Sequence, residues 1–133
     1  MYNFDEFLPV EKARNMNPVV LAFVGDAVYT LYVRKDLAAK SDRKSGELNT
    51  SAAKIVCATA QAELASLLFE KAYTDEEKDI FRRARNAKKG TRAKHAGVAE
   101  YNASTGFEAV IGYLYITGNT KRIDELLNYK ENN

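Results

Sequence analysis

The sequence predicts an all-α protein that folds as a single domain over residues 1–133. Helix breakers are scarce, since the chain holds only seven glycines and two prolines. Apolar residues recur at spacings of three and four in several segments, which is the period of a helix with one buried face. The length lies within the usual range for one domain, and no stretch resembles a linker or a repeat. We therefore expect a helical bundle.

The first long helix is predicted to begin at Asn17-Pro18, because asparagine caps helices well and proline suits the first helical position. The run from Val19 to Val33 that follows is apolar on nearly every face and rich in β-branched residues. A strand is therefore a competing interpretation. The length of the run favours a helix buried on all sides that ends near residues 38–40.

Two further helices are predicted in the middle of the chain. Ser45 to Glu70 carries apolar residues at helical spacing, and we read it as one helix with Cys57 as apolar filler inside it. Thr74 and Glu77 form a capping-box pattern that opens a helix toward residue 85. The segment from residue 86 to residue 97 has no apolar period and is predicted to be a loop.

Two helices are predicted in the last third of the chain. One is expected from about Ser104 to Ile116, where Gly118 stops it. The other is a short helix from Thr120 to Tyr129 with its apolar residues on one face. No segment gives a convincing strand pattern.

Composition excludes several classes of function. The single cysteine, Cys57, rules out an intramolecular disulfide and a cysteine-rich zinc site. The single histidine, His95, rules out mechanisms that need two histidines. The amino terminus lacks the pattern of a signal peptide, and no uncharged apolar run reaches the roughly 18–20 residues of a membrane span. We expect a reduced cytoplasmic protein without membrane contact.

Positive charge is concentrated in one segment. Seven of the 20 basic residues lie between Arg82 and His95, and no acidic residue interrupts them. The remaining 119 residues hold 13 basic and 18 acidic residues. A basic segment on an acidic body indicates a site for a polyanion, although charge runs are often only solvated faces.

Asp26 is the most informative residue, because it lies near the middle of an apolar helix. Burying a charge costs on the order of several kcal/mol unless the charge is paired, hydrogen-bonded or bound to a metal ion. Gly25 beside it weakens a helix interior, so another part of the chain is expected to approach closely there. The alternative is that Asp26 forms a structural pair with an arginine or a helix terminus.

Glu108 also stands at the head of an apolar stretch. Thr105 lies three residues before it, so a capping box is an alternative without chemistry. Small residues accompany both acids, so their helices could cross closely and bring the carboxylates together. Two converging carboxylates repel each other, and a hard cation such as Mg²⁺, which prefers carboxylate oxygens, relieves that repulsion. Carboxylates, magnesium and a basic segment together suit hydrolysis of a phosphodiester.

Two segments resemble the ribonuclease III catalytic domain. Residues 21–28 (LAFVGDAV) resemble its signature, and residues 107–115 (FEAVIGYLY) resemble its second acidic motif. The spacing of the two motifs, the chain length and residues 83–88 are similar to the Mini-III subfamily, whose members are catalytic domains without a double-stranded-RNA-binding domain. The resemblance implies a helical two-fold homodimer that cleaves double-stranded RNA with Mg²⁺ and leaves 5′-phosphate and 3′-hydroxyl ends. It also implies a role in maturation of large-subunit ribosomal RNA, with its precursor as the substrate.

Within that resemblance, Asp26 and Glu108 are the expected catalytic residues and the ligands of Mg²⁺, for which Mn²⁺ should substitute. Two other acids of the wider family are replaced, by Ala22 and Thr105, so the cation is expected to bind more weakly and to keep more of its waters. The alternative function is a non-catalytic helical module that binds RNA or assists ribosome assembly.

The basic segment is the expected RNA-binding surface, because contacts between basic side chains and phosphates bind A-form RNA without reading its sequence. Its helical front should end near residue 85, and the rest should form a mobile loop. Its predicted RNA contacts are Arg82, Arg85, Lys88, Lys89, Arg92, Lys94 and His95.

A dimer would supply one site for each strand of a duplex. The helix from Val19 to Val33 is a candidate interface, because a small bundle cannot bury all of its faces. Phe23, Tyr29 and Tyr32 are possible interface aromatics, although such residues are more often in the core.

Overall fold

The computed structural model describes residues 2–88 and 97–130. These ranges contain helices and no strand, which confirms the all-α prediction. The helices are α1 (Val10–Arg14), α2 (Pro18–Lys40), α3 (Ser45–Val56), α4 (Ala58–Lys71), α5 (Asp75–Asn86), α6 (Val98–Ile116) and α7 (Thr120–Leu127).

The central element is α6, which packs against α2, α4, α5 and α7. Its side chains are buried almost without interruption from Ser104 to Leu114. Phe107 is fully buried and meets Tyr29 of α2 edge-on, with ring centroids 4.9 Å apart. The helix that is enclosed by its neighbours is therefore α6.

One side of α2 is exposed, so the prediction that this helix is buried on all sides is wrong. Leu21, Val28 and Val33 belong to the core, whereas Phe23 is 79% exposed and Leu31 is 60% exposed. The helical start at Pro18, with the Asn17 side chain accepting a hydrogen bond from the Val19 amide, confirms the predicted cap. The end at Lys40 also agrees with the prediction.

The segment predicted as one helix from Ser45 to Glu70 is divided into α3 and α4. The helix axis bends by 47° at the break between them. Cys57 lies at the break with an extended backbone, and its side chain is exposed rather than packed as filler. The break contains neither glycine nor proline, so the usual sequence signals for it are missing.

The capping box at the start of α5 is present as predicted. Thr74 accepts a hydrogen bond from the Glu77 amide, and the Glu77 side chain accepts one from the Thr74 amide. The Glu77 carboxylate is buried and also receives two hydrogen bonds from Arg122 of α7, at 2.9 and 2.8 Å. This ion pair, which the sequence did not reveal, holds α7 against the start of α5.

Two helix boundaries differ from the expectations. α6 begins at Val98, about two turns before the predicted start, and its cap residue Gly97 has no side chain to mark it. The short α1 had no counterpart among the predicted helices. The turn after α6 agrees with the prediction, because Gly118 adopts a positive φ of 81° there.

No single helix in residues 2–88 and 97–130 is long and apolar enough to cross a membrane. The bent pair of α3 and α4 meets the criteria of length and composition only when both helices are counted together.

Candidate metal centre and nucleic-acid interface

The site is built where α2 and α6 cross at two glycines. A Cβ atom added to Gly25 would lie 1.7 Å from the Glu108 carbonyl oxygen, and one added to Gly112 would lie 1.9 Å from the Leu21 carbonyl oxygen. Neither position has room for a side chain, so the two backbones are in direct contact. This explains the glycine beside Asp26, where the sequence predicted a close approach.

The crossing brings the Asp26 and Glu108 side chains close enough together for Asp26 to raise the pKa of the Glu108 carboxyl. Asp26 is exposed and Glu108 is half-buried, so the pair has an open side toward solvent. The prediction that these two acids become neighbours is therefore confirmed.

The Glu108 carboxyl holds its proton unusually tightly. Burial raises its pKa to about 9, the hydrogen bond and charge of Asp26 act in the same direction, and the Gln61 amide opposes them. Two oxygen-bearing groups that compete for one proton form a favourable place for a divalent cation, which can replace that proton.

The donor set suits a hard cation that keeps several waters. No group of three or more histidine, cysteine, aspartate or glutamate side chains that could hold a metal ion occurs among residues 2–88 and 97–130. Two carboxylates with solvent on one side match the preference of Mg²⁺, which is commonly held by one or two carboxylates and completes its shell with water. Asp26 and Glu108 are thus the residues that could hold it.

The capping-box alternative for Glu108 is wrong. Since α6 begins at Val98, Thr105 and Glu108 lie inside the helix rather than at its start. The Thr105 hydroxyl donates instead to the Tyr101 carbonyl at 3.0 Å, within its own helix. Ala22 is buried in the core. Because alanine and threonine have no carboxylate, neither of the two replaced positions adds an acidic ligand to the site.

Two further residues at the site were missed from the sequence. Gln61 of α4 is 1% exposed, and its amide nitrogen lies 3.5 Å from the Glu108 Oε2 atom. Ser104 of α6 is also buried, and its hydroxyl donates to the Gln61 carbonyl oxygen. The sequence did contain a signal for Gln61. This residue falls on the same helical face as Leu64, Ala65 and Leu68, and a polar residue is unusual on a buried apolar face.

The front of the basic segment lies on the last turns of α5, where the helix was predicted to end. The Arg82 guanidinium lies 5.1 Å from the centre of the Phe69 ring, and that of Arg85 lies 5.7 Å from the centre of the Phe81 ring. Lys88 is exposed just beyond the helix.

Arg83, which lies between these residues in the sequence, has a structural contact: its guanidinium donates a hydrogen bond to the Arg14 carbonyl at 2.7 Å. The other predicted RNA contacts lie outside the described residues, as does most of the predicted loop. They are Lys89, Arg92, Lys94 and His95.

The two longest helices of the bundle thus cross at glycines and present paired carboxylates, an arrangement in which a divalent cation could support hydrolysis. The family description "Ribonuclease III domain" matches residues 19–119, which include both acids and the crossing. The chain belongs to the ribonuclease III family.

Several relatives share most of their length with this chain. It is 44% identical to a protein named Mini-ribonuclease 3 from Streptococcus pneumoniae over 115 residues, which cover 86% of this chain and 90% of that protein. Identity to the protein of the same name from a Thermoanaerobacter species is 42%, over 92% of this chain and 85% of that one. These matches confirm the predicted Mini-III subfamily and show that the protein is an endoribonuclease of the ribonuclease III type.

A solved structure shares the fold. The crystal structure of a protein from Fusobacterium nucleatum is 30% identical and superposes with a TM-score of 0.79, covering 86% of this chain and 93% of that one. The ribonuclease III-like architecture predicted from the two motifs is therefore confirmed.

Proposed function

We propose that this endoribonuclease hydrolyses double-stranded RNA with the help of Mg²⁺ held between Asp26 and Glu108. The observation that carries the proposal is the carboxylate pair at the crossing of α2 and α6, on the open side of the site. When bound, the cation supplies a Lewis acid and neutralises charge that develops at the reacting phosphate. Mn²⁺, which also accepts carboxylate ligands, should substitute for it.

The residues have separate tasks in this scheme. Asp26 and Glu108 would hold the cation at the site where the scissile phosphate binds. A water oxygen attacks phosphorus and gives up a proton to solvent, while the bond from phosphorus to the 3′ oxygen breaks and that oxygen takes up a proton from solvent. The products are a 5′-phosphate on one fragment and a 3′-hydroxyl on the other.

Phosphate contacts would come from the basic segment. Arg82 and Arg85 are held over aromatic rings, so they lose little side-chain freedom when they meet a phosphate, and Lys88 is exposed beside them. We propose that Lys89, Arg92, Lys94 and His95 extend this contact along the duplex. Such binding is independent of base sequence and weakens as salt rises.

The exposed stripe on α2 supports a homodimer. Val20, Phe23, Ala27 and Leu31 recur at helical spacing and are exposed, which leaves an apolar band beside Asp26. A second copy of the chain, related by a two-fold axis, would cover this band. It would also bring a second carboxylate pair, which could cut the other strand of the RNA duplex. We propose precursor large-subunit ribosomal RNA as the substrate in the cytoplasm, as the family resemblance implies.

The decisive experiment incubates the protein with a long RNA duplex and Mg²⁺ and follows the fragments on a denaturing gel. Wild-type protein should cut, whereas Asp26→Asn and Glu108→Gln should lose at least about 100-fold in rate, because each removes a charged ligand of the cation. Both variants should still bind the duplex, since the basic segment is unchanged.

The ends of the fragments are identified by two treatments. A phosphatase should remove a phosphate from the 5′ ends, and a ligase that requires a 3′-hydroxyl should accept the 3′ ends. Cutting by both variants at the wild-type rate, or binding without cutting by the wild type, would contradict the proposal. The second result would restore the alternative of a non-catalytic module, which the matches to Mini-ribonuclease 3 proteins otherwise disfavour.

A further inference from the structure

We propose that Gln61 is a positioning residue that holds the Glu108 carboxylate in the orientation needed to bind the cation. The inference rests on the proposed function, because it assigns a role at the same site. Gln61 contacts neither RNA nor the reacting atoms in this scheme, and it acts through Glu108 alone.

Burial is the first argument. Gln61 is 1% exposed and is one of only four polar residues that are buried within residues 2–88 and 97–130. Placing an amide in the core is costly unless each of its polar atoms finds a partner. An apolar residue on this face of α4 would avoid that cost, so the amide is expected to serve a purpose beyond packing.

The partners fix which end of the amide faces Glu108. The Val56 carbonyl, 3.0 Å away, can only accept a hydrogen bond, so the Gln61 nitrogen must face it. The Gln61 oxygen then faces the Ser104 hydroxyl, which donates to it. The second N–H of the same nitrogen is left for the Glu108 Oε2 atom at 3.5 Å. The orientation thus follows from hydrogen-bond chemistry.

The break between α3 and α4 is part of the same arrangement. Val56 is the last residue of α3, so its carbonyl has no partner within a continuing helix. Gln61 supplies that partner and is therefore tied to the end of α3, to α6 through Ser104, and to Glu108. A side chain anchored at two points, by the Val56 carbonyl and the Ser104 hydroxyl, can restrict the rotation of the third group, the Glu108 carboxylate.

The amide also matches the charge that Glu108 carries when it binds a cation. An N–H group stabilises an ionised carboxylate, and a hydrogen bond to a charged acceptor is stronger than one between neutral groups. Groups that orient metal ligands in this way typically contribute about 10- to 100-fold to metal affinity.

The test compares wild-type protein with Gln61→Met, which keeps the length of the side chain but removes its hydrogen bonds. Binding of Mn²⁺ is measured by electron paramagnetic resonance without RNA, and folding is checked by thermal melting. We expect the dissociation constant for Mn²⁺ to rise about 10- to 100-fold in the variant. The Mg²⁺ concentration for half-maximal cleavage should rise by a similar factor.

Two further variants sharpen the comparison. Ser104→Ala leaves Gln61 in place but removes the group that orients its oxygen, so Mn²⁺ binding should weaken in the same direction and by less. If Gln61→Met fails to fold, Ser104→Ala alone tests the proposed role of Gln61.

Thr117→Val is the matched control, because the Thr117 hydroxyl also donates to carbonyls of α6 but lies at the C-terminal end of that helix, away from the acids. Its Mn²⁺ affinity should equal that of the wild type.

Unchanged Mn²⁺ affinity in folded Gln61→Met and Ser104→Ala overturns the inference, even if both variants melt at lower temperature. Wild-type protein that binds no Mn²⁺ overturns both the inference and the proposed function. Protein that shows the expected differences in Mn²⁺ binding but never cuts a duplex overturns the proposed function alone.

Discussion

The ionised form of Glu108 is electrostatically unfavourable in the metal-free site. Its carboxyl is half-buried beside a second carboxyl, and the pKa of about 9 reflects burial first and Asp26 second. Without a cation, the native state therefore favours the protonated form at neutral pH. With a cation, the same surroundings favour release of the proton, so metal binding and proton release are linked.

This linkage predicts how stability changes with pH in the metal-free protein. The carboxyl ionises near its ordinary value of 4.5 in the unfolded chain but keeps its proton up to about pH 9 in the native state. Between these values the native state binds more protons, so stability should fall as pH rises through that window.

Melting temperatures in the presence of a chelator, measured from pH 5 to pH 9, would show this fall in the wild type. Glu108→Gln carries no titrating group at this position and should lose that part of the slope. Parallel slopes for the two proteins would contradict the assignment. Added Mg²⁺ should restore wild-type stability most strongly at the alkaline end, because it takes the place of the proton.

Individual residues were predictable from sequence to the extent that they broke a local pattern. Asp26 and Glu108 were visible because each is charged within an apolar segment. Gln61 broke the apolar face of α4 in the same way, but an uncharged amide gives a weaker signal. Its partners on α3 and α6 are distant along the chain, and only packing brings them together.

At the scale of elements, the crossing of α2 and α6 should tolerate no side chain. Gly112→Ala places a methyl group where the Leu21 carbonyl stands, so the helices must separate. We expect a loss of about 1–3 kcal/mol or more in the free energy of unfolding, which is typical of overpacking. RNA cleavage should fall as well, because Asp26 and Glu108 move apart.

Gly46→Ala is the matched control for that substitution. Gly46 lies in α3, and a Cβ atom there would meet nothing within 4 Å. Alanine should therefore raise stability by about 0.5–1 kcal/mol, because glycine is the poorer helix former. Urea unfolding of both variants checks the pair, and equal stabilities would refute direct backbone contact at the crossing.

The order and type of the long helices were predictable, because capping patterns and apolar spacing are local. The division of Ser45 to Glu70 was not, since the break at Cys57 has no glycine or proline. Which long helix is enclosed was also misjudged. Both α2 and α6 are apolar, and hydropathy alone does not show that α6 is surrounded by neighbours while α2 keeps one side free.

For the whole molecule, the exposed band on α2 predicts self-association. Phe23 and Leu31 are the largest exposed side chains of that band. The double substitution Phe23→Glu and Leu31→Glu should convert a dimer into a monomer, because two apolar contacts are replaced by like charges that face each other across a two-fold axis. Light scattering coupled to gel filtration measures the mass directly.

Phe4→Glu is the control for this experiment. Phe4 is 83% exposed but lies outside the α2 band, so its replacement should leave the dimer intact. A wild-type protein that is monomeric at all concentrations would refute the proposed interface. Of the aromatics considered from sequence, only Phe23 is largely exposed, because Tyr29 packs in the core and Tyr32 is half-buried.

The glycine contact also has a practical side for protein engineers. The distance between the two helix backbones that carry the acids is set at the crossing by main-chain atoms that touch, rather than by the shapes of neighbouring side chains. Core positions remote from the contact, such as the buried Ile123 of α7, can therefore be redesigned for heat tolerance without changing the distance between these backbones. Away from the crossing and from Gln61, the geometry that the chemistry requires and the packing that sets thermal tolerance can therefore be treated as separate design problems.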